Sequence, residues 1–181
     1  MAQNATLYNI HLSIADMDKH YYADHALTVV QHPSEHYERM MLRLMAFIFH
    51  AQQEPKFTRG LSEESEPEIW KVELDDRVSL WVDIGLPDVK RIQKAAKRGP
   101  EVAVYQYGSQ GADKWWDQNK RALAAHKNVS VYVINAEAGD QLASLIERRM
   151  SISVTVQDGE MLLSLGHQSV QVVREQRIAS L

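Results

Sequence analysis

The segment EPEIWKVELDDRVSLWVDIGLPDVKRIQK, Glu66–Lys94, decides the fold. From Pro67 the residues alternate, with Glu68, Trp70, Val72 and Leu74 pointing one way and Ile69, Lys71 and Glu73 the other, as in a strand. Asp75-Asp76-Arg77 reads as a turn. Val78–Ile84 is the next strand, with Val78, Leu80, Val82 and Ile84 on one face and Ser79, Trp81 and Asp83 opposite. Large apolar groups on both faces predict a position near the middle of a sheet. Gly85-Leu86-Pro87-Asp88 then stops the strand, and Asp88 is placed to cap a helix predicted over Val89–Arg98. On that helix Lys90, Lys94 and Lys97 fall within a narrow arc, while Val89, Ile92 and Ala96 form the buried stripe.

Two carboxylates in this stretch, Glu68 and Asp83, stand in otherwise apolar strands. Burying an unpaired charge costs on the order of several kcal/mol, so such groups are paired, hydrogen-bonded or bound to a metal. A lysine arc is ordinarily a solvated face. Following the Asp83 strand directly, it gains a second reading as a cation serving those acids.

Working outward, Thr6–Ile14 is a half-buried strand, Ala15–His20 a polar turn, and Tyr21–Gln31 a second strand closing a hairpin. His32-Pro33-Ser34-Glu35 starts a helix that runs to about Gln52, with Ser34 as N-cap and Glu35 in the first turn. From Met40 to Phe49 only Arg43 is charged, which predicts a buried helix. Glu38 shares a side with Met41, Leu42 and Met45 and so begins an inward face. The plainer reading is a first-turn acid reaching solvent or pairing with Arg39 or Arg59. Pro55 and Phe57–Leu61 lead into the acidic loop Ser62–Glu66.

Beyond residue 100 the chain alternates. Val102–Tyr107 is a strand, Ala112–Ala125 a helix with Trp115 and Trp116, Val129–Ile134 a strand and Glu137–Arg149 a helix, which predicts parallel pairing. Met150–Gln157 and Met161–Leu165 flank the tight turn Asp158-Gly159, and Ser169–Val173 is a third strand. With no repeat and no linker, residues 1–181 read as one α/β domain.

The chain has 181 residues, no cysteine and a formal net charge of −4. Thiolate zinc sites and disulfide frameworks are therefore excluded. No apolar run suffices to span a bilayer, and no basic segment followed by an apolar run opens the sequence, so a cytoplasmic protein without a membrane partner is expected. The charge argues against a chain coated for nucleic acid but leaves room for a local basic cleft. His11, His20, His25, His32, His36 and His50 lack tight metal-ligand spacing. A phosphate-binding glycine loop, a G-x-S-x-G elbow and an H-E-x-x-H helix are all missing. Acids on a buried helix and two neighbouring strands, with a lysine close by, suit phosphodiester hydrolysis. Carboxylates hold Mg²⁺ or Mn²⁺, the metal activates water, and the lysine offsets developing charge.

HPSEHYERMMLRLMAF, FTRGL with EPEIW, LWVDIGLPD with RIQKA, and the later EVAVYQY and KWW resemble the bacterial YaeQ family over nearly the whole chain. The resemblance implies the PD-(D/E)XK nuclease-like class. Its restriction-endonuclease-like αβββαβ core would have a mixed central sheet, here with an N-terminal β-hairpin and C-terminal strands. It further implies Glu38 as the helix-one acid, Pro67-Glu68 in place of the Pro-Asp pair, and Asp83 as the first acid of the (D/E)XK element. Glu68 and Asp83 would bind the metal, with Glu38 and Lys94 as catalytic groups. Gly85 stands where the motif has lysine, and Lys94 is expected to reach back over the strand end in its place. The function implied is a metal-dependent nuclease or phosphodiesterase-like protein acting on nucleic acid. The alternative is a catalytically inactive nuclease scaffold used for binding or regulation, with the acids and lysine kept as an ion-pair cluster.

Overall fold

The computed structural model describes residues 4–177. In chain order the elements are β1 (Thr6–Asp16), β2 (Tyr21–Gln31), α1 (Tyr37–His50), β3 (Lys56–Phe57), β4 (Ile69–Val72), β5 (Val78–Ile84), α2 (Val89–Ala96), β6 (Glu101–Tyr107), α3 (Gln110–Ala124), β7 (Val129–Ile134), α4 (Ala136–Ala143), β8 (Arg149–Gln157), β9 (Glu160–Leu165) and β10 (Gln168–Arg177). Two compact units divide them. One comprises the described residues up to Met41 with Glu137–Arg174, the other Leu42–Ala136 with Glu175–Arg177.

The first unit carries the strand order β2-β1-β8-β9-β10. Alternation along β1 buries Tyr8, Ile10, Leu12 and Ile14, and the matching rows of β8 and β9 bury Met150, Ile152, Val154, Val156, Met161 and Leu163. β1 pairs antiparallel with β2 and parallel with β8, so this sheet is mixed. Both Asp18 carboxylate oxygens, in the β1–β2 turn, accept backbone N–H groups of Asp158 and Gly159 at 2.8 Å. Asp158-Gly159 is the tight turn expected there, with both residues at positive φ.

The second unit carries the order β7-β6-β5-β4-β3. β6 and β7 run parallel, as the strand–helix alternation beyond residue 100 predicts, β5 also pairs parallel with β6, and β4 pairs antiparallel with both β5 and β3. Residues Leu80 to Ile84 of β5 are all buried, the signature of a strand covered on both faces. On the Trp81 side, Ile92, Ala95 and Ala96 of α2 and Trp115 and Leu123 of α3 close over Val102, Val104 and Val131, and Trp116 packs against the same cluster. On the other side, Phe49 of α1 stacks on Tyr105 of β6, and His50 accepts or donates a 3.0 Å hydrogen bond with the Tyr105 hydroxyl. Tyr105 is in register with Ile84, so α1 and α2 cover opposite faces.

Three sequence expectations need correction. Ser34 does not cap α1, because its hydroxyl lies 2.7 Å from His32 Nδ1 in the preceding turn and the helix starts at Tyr37. Glu35 is buried and accepts from Arg39 one turn on. The fourth helix ends at Ala143 and not at Arg149: Ser144 turns its hydroxyl onto the Gln141 carbonyl, and Arg149 already belongs to β8.

Ile92, fully buried between α2 and the sheet, anchors the helix that carries Lys90, Arg91 and Lys94. Ile92→Ala is expected to cost about 2–5 kcal/mol in urea unfolding, since the rigid sheet beneath cannot collapse into the space.

Candidate functional site

Asp83 lies near the C-terminal end of β5, 3% exposed, on the same face as Trp81. Its partners account for the charge. Trp81 Nε1 donates to Oδ2 at 2.9 Å, Arg91 Nε to both oxygens at 3.2 Å, and Arg91 Nη2 to Oδ1 at 3.1 Å. The Arg91 guanidinium sits 5.4 Å from the Trp81 ring centroid and also donates to the carbonyls of Glu64 and Glu66. One side chain thus ties α2, β5 and the acidic loop together. The arrangement depends on Asp88, whose carboxylate accepts the Lys90 N–H at 2.9 Å and fixes where the helix begins.

Glu68 precedes β4 directly, and its N–H donates to the Val82 carbonyl at 3.0 Å, so the backbones at Glu68 and Asp83 are neighbours. Their carboxylates are served from different helices. Glu68 Oε2 lies 4.0 Å from Arg43 Nε of α1, and the Arg43 guanidinium faces the Phe57 ring at 5.9 Å. Gly60 passes close over this acid. A Cβ there would fall 2.6 Å from Glu68 Oε2, and its φ of +53° already favours glycine.

Glu38 sits half-buried in the first turn of α1, within the first unit. Lys94 is exposed one turn beyond Arg91. The cation that reaches Asp83 from α2 is Arg91, while Lys94 makes no ion pair among the described residues. Gly85 has φ +83°, where the chain leaves β5, and its N–H donates to the Tyr105 carbonyl at 2.8 Å. A lysine at that position would be strained whatever space it had.

Sequence reasoning missed Arg91 and the partnership of Arg43 with Glu68. Arg91 carried a weak signal: it precedes the buried Ile92 and lies three residues after the cap Asp88, so it falls on the helix side turned toward the strand. Arg43 carried a plainer one as the single charge in an otherwise apolar helix, since a buried cation requires a buried acid.

As arranged, these residues do not fit a resident metal. Both Asp83 oxygens accept from a guanidinium, which Mg²⁺ or Mn²⁺ would have to displace. Among the described residues no three of His, Cys, Asp and Glu form a set able to hold a metal ion.

Around α2 the electrostatics reverse. Lys90, Arg91, Lys94, Lys97 and Arg98 lie within nine residues with no acid among them. Four of the five, all but Arg91, are exposed and make no ion pair among the described residues. Lys94, Ala95 and Arg98 line a depression of about 470 Å³ with Trp81, Glu64 and Ser65. The loop beside it also carries an ion pair of its own. Arg59 donates to Glu66 at 2.8 Å and holds that carboxyl below the usual carboxylate range. Trp115 gives its indole N–H to the Pro87 carbonyl at 2.9 Å and is a core residue.

Arg91→Ala is expected to destabilise the protein by roughly 3–5 kcal/mol, because Asp83 is left buried without its partner, and Asp83→Asn in the same background should restore part of that loss. Chemical denaturation of the four proteins in the cycle measures it. Gly60→Ala should cost about 1–3 kcal/mol from backbone strain alone.

The family model described as "YaeQ protein" matches residues 1–174. The chain is 40% identical over 172 residues to "Uncharacterized protein YaeQ" of Salmonella typhi and 38% identical to that of Escherichia coli strain K12, each match covering 95% of both chains. Among solved structures, the YaeQ protein from Xanthomonas axonopodis pv. citri superposes with a TM-score of 0.93 at 40% identity, covering 98% of this chain and 100% of that one. The YaeQ protein from Pseudomonas syringae gives 0.92 at 30% identity, covering 99% of each. A family match running through the strands, the capped α2 helix and both arginine-held acids places this chain in the YaeQ family.

Proposed function

We propose that this YaeQ-family chain is a binding protein for nucleic acid, engaging phosphates through the exposed face of α2, with Glu68 and Asp83 serving as structural ion-pair partners. The reading rests above all on the row Lys90, Lys94, Lys97 and Arg98, exposed cations that make no ion pair among the described residues, on a chain of net charge −4. Cations that are not neutralised within the fold are free to release counterions from a polyanion. Along α2 and the turn that closes it, the row from Lys90 to Arg98 spans on the order of 12 Å at helical rise, which matches roughly three or four phosphates of one strand. The saturation of Asp83 by Arg91 and Trp81 supports a binding role over hydrolysis, since neither carboxylate oxygen is left to a metal.

A metal-dependent nuclease of PD-(D/E)XK type is the second reading. It is favoured by one observation, the backbone hydrogen bond from Glu68 to Val82 that makes Glu68 and Asp83 cross-strand neighbours. In that reading Glu68 and Asp83 would hold Mg²⁺ or Mn²⁺ once Arg91 had moved aside, with Glu38 and Lys94 as the further groups. Release of the guanidinium is its main cost.

Fluorescence anisotropy with labelled single- and double-stranded oligonucleotides separates the two. Binding should weaken steeply with salt. Lys94→Glu with Arg98→Glu should lower affinity at least tenfold and flatten the log–log salt slope by about 1–2. Salt-independent binding, or none, would sink the binding proposal. Cleavage that needs Mg²⁺ or Mn²⁺ and disappears in Asp83→Asn would establish the nuclease instead.

A further inference from the structure

The partners of Asp83 fix what the depression beside α2 presents to a ligand. Trp81 commits its indole N–H to Asp83 Oδ2 at 2.9 Å, so its ring offers only carbon there. Arg91 directs Nε and Nη2 at the same carboxylate, and Nη1 and Nη2 at the carbonyls of Glu64 and Glu66. Its plane and its stem are what remain for the depression. With the buried Ala95 methyl, these residues make a flat and largely apolar floor.

The two elements beside that floor differ in chemistry. Lys94 stands in the last turn of α2, and Arg98 follows two residues beyond the end of the helix. Arg98 N–H donates to the Ala95 carbonyl at 3.0 Å, so the chain keeps turning and both cations border the same space. From the loop come the exposed Glu64 and Ser65. The Ser65 hydroxyl donates to Glu63 Oε1 at 2.7 Å and can therefore only accept from a ligand. Thus α2 supplies cations and the loop supplies acceptors. Cations in a last helical turn complement the helix dipole with or without a ligand. What sets this pair apart is the shared space of about 470 Å³, in the size range of small-molecule sites.

We propose, resting on the nucleic-acid reading above, that the depression receives the terminal nucleotide of a strand, with its phosphate monoester on Lys94 and Arg98 and its base over the floor of Trp81, Arg91 and Ala95. A phosphodiester carries one negative charge. A terminal monoester carries about −1.5 to −2 near neutral pH and has three strong acceptor oxygens. Two cations bordering one space suit the monoester. A base lies flat on aromatic rings and on guanidinium planes. Glu64 and Ser65 accept from the N–H groups of a base and turn a phosphate away, so the nucleotide enters in one orientation. Lys90 and Lys97 lie outside the depression and are left for the phosphodiesters that follow.

Fluorescence anisotropy with the whole chain and one single-stranded sequence, labelled within the strand, tests this. One version carries a 5′-phosphate, one a 3′-phosphate and one hydroxyl ends. The last is a nucleotide longer, so that all hold the same number of phosphates. One of the phosphorylated ends should bind about tenfold tighter than the hydroxyl-ended strand, the worth of a hydrogen bond to a charged group. Lys94→Gln should bring that ratio close to one. So should Ser65→Phe, which fills the depression and removes no cation. Lys97→Gln should weaken binding of all three strands and keep the ratio. Equal affinity for the three strands overturns the strand-end proposal and leaves salt-dependent binding along α2 standing. Absence of binding to every strand overturns both. A preference for a terminal phosphate that survives either Lys94→Gln or Ser65→Phe also overturns the proposal, because the end is then held elsewhere.

Discussion

A carboxylate buried in the middle of a sheet must be neutralised where it stands, and at Asp83 a single arginine does this. Arg91 supplies Nε and Nη2 to the carboxylate and spreads its remaining donors over the carbonyls of Glu64 and Glu66. A lysine could not serve three acceptors in one plane, because an ammonium is a point donor on a flexible stem, whereas the guanidinium is a rigid fork of five N–H groups. The position of α2 on the sheet, the path of the acidic loop and the orientation of the Trp81 indole therefore share one anchor.

That anchor also sorts the charge of the unit. The acids that stand out in the sequence are taken up internally, Asp83 by Arg91 and Glu68 beside Arg43. The cations that sequence reading treats as ordinary solvated residues are the ones left outside, on the face of α2 turned away from Ile92 and Ala96. A net charge of −4 describes the sum over the chain and conceals this separation. A ligand meets the local potential, and around α2 that potential is set by Lys90, Lys94, Lys97 and Arg98.

Much of this was legible in the residues themselves. The bounds read for β2, β5 and β7 hold to the residue, β5 from its period-two alternation, and Asp88 announced the start of α2 because an N-cap acts within one turn. Parallel pairing of β6 and β7 followed from their alternation with helices. The failures were tertiary. The parallel pairing of β1 with β8 joins segments far apart in the chain and leaves no local trace. Arg91 reaches a strand residue eight positions back and loop carbonyls far earlier still, so a helical-wheel reading sees only one more cation on a basic helix. Ser34 looked like a cap on composition, yet His32 competes successfully for its hydroxyl from two residues away.

Gly85 and Arg91 are two aspects of one geometry. For Arg91 to lie over Asp83, β5 must end at once and the chain must reverse into a capped helix within four residues. Gly85 makes that possible by adopting φ +83°, a conformation that carries a heavy steric cost for any side chain with a Cβ. A lysine two residues after Asp83 would instead call for an extended strand, which would carry Asp88 and the whole first turn of α2 away from the carboxylate. The backbone that excludes the lysine is thus the same backbone that delivers the arginine. The charge on Asp83 is balanced by a group arriving from the helix, because the strand is no longer there to present one.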